Sequence, residues 1–372
     1  MRGSDNRAPS ARGRGPALPR LARAYPRAGV ATVVAALALL GCQNALAVGH
    51  ARAVESQTGT AKASLEGLAC PSATQCSAVD FYGGVVTFNP HAAHVADPIT
   101  VDHDGPAALN AYFISCPTTT QCTVFDEDGG EATFNPRRPG KTRRVVVDKR
   151  STPQAGVCLT ASECVLVDNL GRVVTFSPSS PAHPRRVLLD SALGAQLTVS
   201  CPSTSQCSTI TEFENALTFN PLTPALATPN PIDHPTPESA IALIGLSCPS
   251  VSECVATDVH GRELTFNPHA VGSPPPVAVT SGDPIYALNC ISTTSCLATS
   301  EGALVTFDPT TPGHVASTKL ATSRPGLGQI ACPSATQCSV IARPTRELTF
   351  DPNAPSPARS AIVSSGRHPR EH

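Results

Sequence analysis

The stretch "ACPSATQCS" fills residues 69–77 and returns unchanged at residues 331–339. Between the two copies, the spacing of its cysteines never lapses. Cysteines stand at 70/76, 116/122, 158/164, 201/207, 248/254, 290/296 and 332/338, and the first members lie 46, 42, 43, 47, 42 and 42 residues apart. A second landmark keeps step: TFNP at 87–90 and 133–136, TFSP at 175–178, TFNP at 218–221 and 265–268, and TFDP at 306–309 and 349–352. The twin nonapeptides are therefore the first and seventh copies of one unit of about 44 residues.

Within the unit the periodicity is that of strands. Two residues before each motif Phe stands Val86, Ala132, Val174, Leu217, Leu264, Val305 or Leu348, always apolar, and the residue directly before the Phe is always Thr. This alternation marks a strand whose Phe face packs inward. Two residues before the first Cys stand Leu68, Ile114, Val199, Leu246, Leu288 and Ile330, again a strand pattern, whereas the third copy has Gly156 there. Runs such as SAVD, TVFD and VLVD after the second Cys predict another strand. The Pro of each TF-x-P ends its strand, because it has no N–H for a ladder and pushes the preceding residue out of the helical region. A weaker fourth strand is expected at 99–102, 143–148, 185–190, 277–279 and 360–365.

Four short strands in about 44 residues, seven times over, predict an all-β fold: a seven-bladed β-propeller of four-stranded antiparallel blades spanning 64–365. Solenoid coils are usually shorter, and an isolated four-stranded sheet of this size buries too little surface to be stable. Composition agrees. With 37 Pro, 26 Gly, 15% charged residues, no Trp and one Met in 372 residues, short strands and turns are favoured over long amphipathic helices. How the ring closes is left open: by face packing of the end blades, or by an outer strand lent from residues 52–57.

Residues 1–41 carry seven Arg against Asp5, leaving 20 basic and 27 acidic residues beyond. An acidic body is a poor match for nucleic-acid phosphates. The apolar run Ala28–Leu40 rises about 20 Å as a helix, short of a bilayer core, so 1–41 is expected to be a signal peptide. Its ending, Leu39-Leu40-Gly41-Cys42, resembles the bacterial lipobox, which implies lipidation of Cys42, the one cysteine outside the pairs. Ala45–Ala47 offers a competing cleavage site. Residues 42–63 would then be a flexible tether and 366–372 a frayed tail. The expected address is extracytoplasmic, membrane-anchored or secreted.

Each Cys pair flanks a turn rich in Pro, Ser and Thr. A C-x5-C spacing without accompanying His is wider than zinc knuckles use, and export brings oxidising surroundings, so seven disulfides are expected: Cys70–Cys76, Cys116–Cys122, Cys158–Cys164, Cys201–Cys207, Cys248–Cys254, Cys290–Cys296 and Cys332–Cys338. The unit CPSxxxC…VD..G…TF resembles the disulfide-bearing repeats of secreted propeller proteins of actinobacteria and their relatives. The turn VDFYGGVVTF is also similar to the Asp-box of sialidase-type propellers, a structural turn, although the spacing differs and copies four, six and seven lack the Asp.

Four residues after the second Cys stand Asp80, Asp126, Asp168 and Asp258. On a propeller they could form a partial carboxylate crown for a cation. The simpler reading is an Asx turn at each strand reversal. Sialidase-type chemistry would need an arginine cluster and a Tyr–acid pair, but Tyr82, Tyr112 and Tyr286 are the tyrosines beyond the leader, and Arg137, Arg138, Arg143 and Arg144 sit in outer segments. No G-x-S-x-G elbow, H-E-x-x-H helix or phosphate-binding Gly loop occurs. The eleven His are scattered, with "HAAH" at 91–94 the one close pair. The expectation is a monomeric scaffold without a cofactor, binding a protein or glycan at the cell envelope through loops at one mouth of the ring. The alternative is an extracellular hydrolase or lyase, a sialidase-like glycosidase, on the same ring.

Overall fold

Alternating apolar residues flanked by Pro, Gly and Asx turns fold as seven separate four-stranded antiparallel sheets, each with its strands in sequence order. The computed structural model describes residues 64–365 except 93–94, 102–110, 141, 150, 193, 233–242, 273–274, 312 and 321–325. The leader, Cys42, the expected tether, residues 52–57 and the tail lie outside the described residues.

The first strands of the units, Leu65–Ser72, Ala111–Thr118, Pro153–Thr160, Gln196–Ser203, Leu243–Ser250, Ala287–Ser292 and Leu327–Ser334, pack each against the next around a common axis. The seventh returns to the first, so the chain is a closed seven-bladed propeller. Outer strands are short in most blades: Ile99–Thr100, Arg144–Val146, Arg185–Leu188, Asn230–Pro231, Val277–Ala278 and Val315–Lys319. The last, Ala354–Ile362, starts six residues before the expected 360, and copies four and six supply outer strands that their sequence did not mark. Blade seven thus builds its outer strand from its own unit.

Among the described residues, seven hydrophobic clusters of buried residues lie one at each junction between blades. The motif Phe always packs back against the preceding blade: Phe88 joins Ile341 of blade seven, Phe134 joins Val79, and Phe266 joins Ile210. The second Cys of every pair is fully buried in the same cluster, and all seven disulfides close within their own blade, with Cα–Cα distances of 3.9–4.1 Å. Closing a seven-residue ring stabilises each blade by about 2 kcal/mol in the chain-entropy account. Seven disulfides point to an oxidising, extracytoplasmic environment.

The Thr face of the third strand, which alternation assigns to the polar side, is half-buried or buried and not fully open to water. It faces the following blade, and in four copies its hydroxyl meets strand two, as in Ser77–Thr87 at 2.9 Å, Thr123–Thr133 at 2.8 Å and Ser208–Thr218 at 2.9 Å. A blade is covered on both faces, so these hydroxyls find partners within the blade.

Two polar devices pin blade to blade. Near the axis, Ser115, Ser200 and Ser247 accept from the backbone N–H of the first Cys in the next blade, Cys158, Cys248 and Cys290, each at 2.9 Å. Further out, the Gln before the second Cys donates its amide to a carbonyl in the next disulfide turn: Gln75 to Thr119, Gln121 to Ala161, Gln206 to Val251 and Gln337 to Ala73, at 2.8–2.9 Å. His91 and His269, grouped with scattered surface histidines in the sequence, meet Gln337 and Gln206 of the preceding blade at 2.8 and 3.0 Å. The closing junction uses the Gln337 and His91 contacts, has Ala331 in place of the serine, and adds more. Leu65 N–H donates to Pro344 O at 2.8 Å, Ala96 bridges Ser364 in parallel, and Arg343 pairs with Glu66.

Candidate functional site

Inner strands run toward the disulfide turns, so the turns joining strands two and three, together with the loops entering the next blade, gather at the opposite mouth. Short-range hydrogen bonds build these turns. Asp80 Oδ1 accepts from the N–H of Tyr82 and Gly84 at 2.9 and 2.8 Å, and Asp258 Oδ1 accepts from His260 and Arg262 at 2.9 Å. Asp126 and Asp168 hold the same pairs of donors. The third residue after each Asp has a positive φ of 73–79° and is Gly83, Gly129, Gly171 or Gly261, because only a residue without Cβ enters this region without cost. Copy four substitutes the Thr211 hydroxyl, with Glu214 at φ 60°. Copy six is a residue shorter and turns through Glu301 and Gly302, both at positive φ, as a type I′ hairpin requires.

The second oxygen of three of these carboxylates takes an arginine. Arg144 Nε reaches Asp126 at 2.7 Å, and Arg172 and Arg262 reach Asp168 and Asp258 at 2.6 Å. Arg172 also contacts Asp148 of blade two at 3.3 Å, where Arg186 stands 3.7 Å away. Burial pushes the Asp148 carboxyl above the usual range, opposed by its bond from Ser151. The four aspartates are therefore engaged one turn at a time, and they are not gathered into a crown. Among the described residues no three His, Cys, Asp or Glu side chains form a group able to hold a metal ion.

From this hydrogen-bonded frame, apolar side chains project outward. Tyr82 and Phe213 sit at turn tips of blades one and four, and Tyr286 sits where the chain enters blade six; they are 41%, 53% and 51% exposed. Leu170 and Ile244 accompany them, also exposed. Several are held in place. The Phe213 ring lies over Gly194, where a Cβ would meet it at 2.6 Å, and the Tyr286 hydroxyl donates to Glu301 at 2.7 Å. Tyr82 meets Phe81 edge-on with centroids 5.4 Å apart. These three are the exposed aromatic side chains among the described residues, and all lie at the mouth away from the disulfides.

The axis differs from that mouth. Across the seven inner strands Glu66 is the one charged residue, and it is paired with Arg343.

The chain's architecture is shared by solved propellers. YCF48 from Cyanidioschyzon merolae superposes with a TM-score of 0.60 at 12% identity, over 79% of this chain and 97% of that one. YCF48 bound to a D1 peptide gives 0.59 at 11% identity, over 75% and 90%. A streptogramin B lyase gives 0.60 at 6% identity, over 75% and 90%. At such identities the likeness is one of fold. The sequence matches no protein-family model and no curated relative.

Two sets of polar residues escaped the sequence reading. One is the Gln pins, whose signal was the recurrent Q-C of four copies. The other is Glu131, Glu263 and Glu347, all buried on the third strand, each accepting a hydroxyl bond from the Thr two residues on. Burial pushes all three carboxyls up, Glu131 to about 7. The E-x-T-F pattern marked these residues, but strand alternation gave no reason to bury a carboxyl.

Proposed function

We propose that this protein is an exported binding scaffold, held at the cell surface by lipid on Cys42, that engages a protein partner through the mouth opposite its disulfides. The observation that carries this reading is the placement of the exposed Tyr82, Phe213 and Tyr286 at that one mouth. Aromatic side chains fixed on rigid turns lose little entropy on binding and bury large areas, which is why they dominate interface energetics. Leu170 and Ile244 add exposed apolar side chains at the same mouth, which a protein partner, more than a glycan, would use. The propeller neighbour bound to a peptide shows a ring of this architecture serving recognition. Hydrolysis or elimination at the axis would call for an acid and a base facing one another, and the inner strands supply only the ion-paired Glu66.

The test is capture from the native cell envelope with the full tagged protein and with a Tyr82→Ser, Phe213→Ser, Tyr286→Ser variant. The scaffold reading expects one stoichiometric protein on the parent ring and its loss from the variant. Equal recovery on both rings, or turnover of a glycan by the purified protein, would overturn it.

A further inference from the structure

Between the third and fourth strands of blade two and the 178–182 loop of blade three lies a cavity of about 350 Å³, walled by Val145, Pro178 and Pro181. Glu131 lines it and is 2% exposed. At the same position four other copies place Val85, Val173, Ala216 and Leu304, all buried. Three copies place a carboxyl here, Glu131, Glu263 and Glu347, and burying one costs free energy unless a partner compensates.

Blade seven shows how the same position is compensated. There Glu347 lies opposite Ala361, and Thr349 lies opposite Arg359. Arg359 and His91 both act on the Glu347 carboxyl to favour its charged form, and Arg359 donates to the backbone carbonyl of His91 in blade one. In blade two Glu131 opposes Val145, and the paired segment ends at Arg144, one residue after Arg143. Yet only burial and the 2.7 Å bond from Thr133 act on Glu131. Arg143 lines the cavity from an exposed position. The junction that is filled in blade seven stands open in blade two.

We propose that this cavity binds a small zwitterion of amino-acid size, its cationic nitrogen against Glu131 and its carboxylate toward Arg143. A volume of about 350 Å³ between the two side chains is room for one amino acid. Val145, Pro178 and Pro181 form the apolar part of the wall beside the buried Glu131 carboxyl. Glu131 and Arg143 are the two ionisable residues lining the cavity. Cation binding needs the ionised carboxyl, and with Glu131 near 7 affinity should fall about tenfold from pH 8 to pH 6.

Calorimetric titration of the full protein in detergent with L-lysine, L-arginine and cadaverine tests the site. L-lysine or L-arginine should bind saturably at one site, and Glu131→Gln should abolish it while leaving thermal unfolding intact. Glu131→Val, the residue of copies one and three, gives a second folded control. Arg143→Ala should weaken L-lysine about tenfold and leave cadaverine unchanged, since cadaverine has no carboxylate. Failure of the parent protein to bind either amino acid, or binding indifferent to Glu131→Gln, would overturn the proposal. So would affinity that rises toward pH 6.

Discussion

Phe125 of blade two and Gly156 of blade three are fitted to one another: a Cβ at Gly156 would stand 3.0 Å from the Phe125 ring and 2.5 Å from Leu166 Cδ2. Other copies put Val, Ile or Thr where Phe125 stands and an apolar residue where Gly156 stands. Phe125 is fully buried and meets Phe176 edge-on at 6.3 Å. The third copy's departure from the repeat is thus a steric answer to the second copy's large side chain.

Adding the methyl group overfills this junction. Gly156→Ala should destabilise the ring by about 1–3 kcal/mol, read as a lower urea midpoint with unchanged slope. Phe125→Val in the same chain should recover part of the loss, because residues in contact are non-additive. Simple additivity of the two substitutions would contradict the fit.

At the junction of blades five and six, Glu253 occupies the place that Gln206 holds one blade earlier. Its Oε1 is buried without a hydrogen-bond partner, and both burial and the Asp308 carboxylate across the junction push its pKa up. A raised folded pKa gives stability that is complete below the unfolded value of about 4.3 and is lost as pH climbs through the folded value. Glu253→Gln restores the amide donor. It should raise stability by about 1 kcal/mol at pH 8, and the gain should shrink toward pH 4.5. A gain of equal size at both pH values would show that the carboxyl's proton is irrelevant here. Glu163, raised by burial in blade three, should behave alike.

Removing one staple tests its contribution. Cys290→Ala with Cys296→Ala should cost about 2 kcal/mol or more, since loss of the fully buried Cys296 sulfur also leaves a small void. Urea unfolding of parent and variant under non-reducing conditions measures it, and coincident midpoints would mean that the bridge adds nothing.

Much of the architecture was legible because the seven-fold recurrence of C-x5-C and TF-x-P reports backbone geometry that every blade must share. The outer strands of copies four and six were not. Asn230–Pro231 is two residues long, and Val315–Lys319 is largely exposed, so neither needs an apolar pattern. The Asx turns were legible from Asp80, Asp126, Asp168 and Asp258, whereas their arginine partners come from different positions, Arg144 on the fourth strand and Arg172 and Arg262 on the third. The candidate mouth was hidden for a different reason. Tyr82, Phe213 and Tyr286 are isolated in sequence, and only the common direction of the inner strands brings their turns to one end.

Since every sheet is made wholly from its own stretch of chain, the segment copied in a gene duplication is the segment that folds as a blade. Loss or gain of one copy would leave each surviving blade with its four strands and its bridge, and would alter only the curvature needed to meet end to end. Rings of six or eight descendants are thus a small evolutionary step from this one.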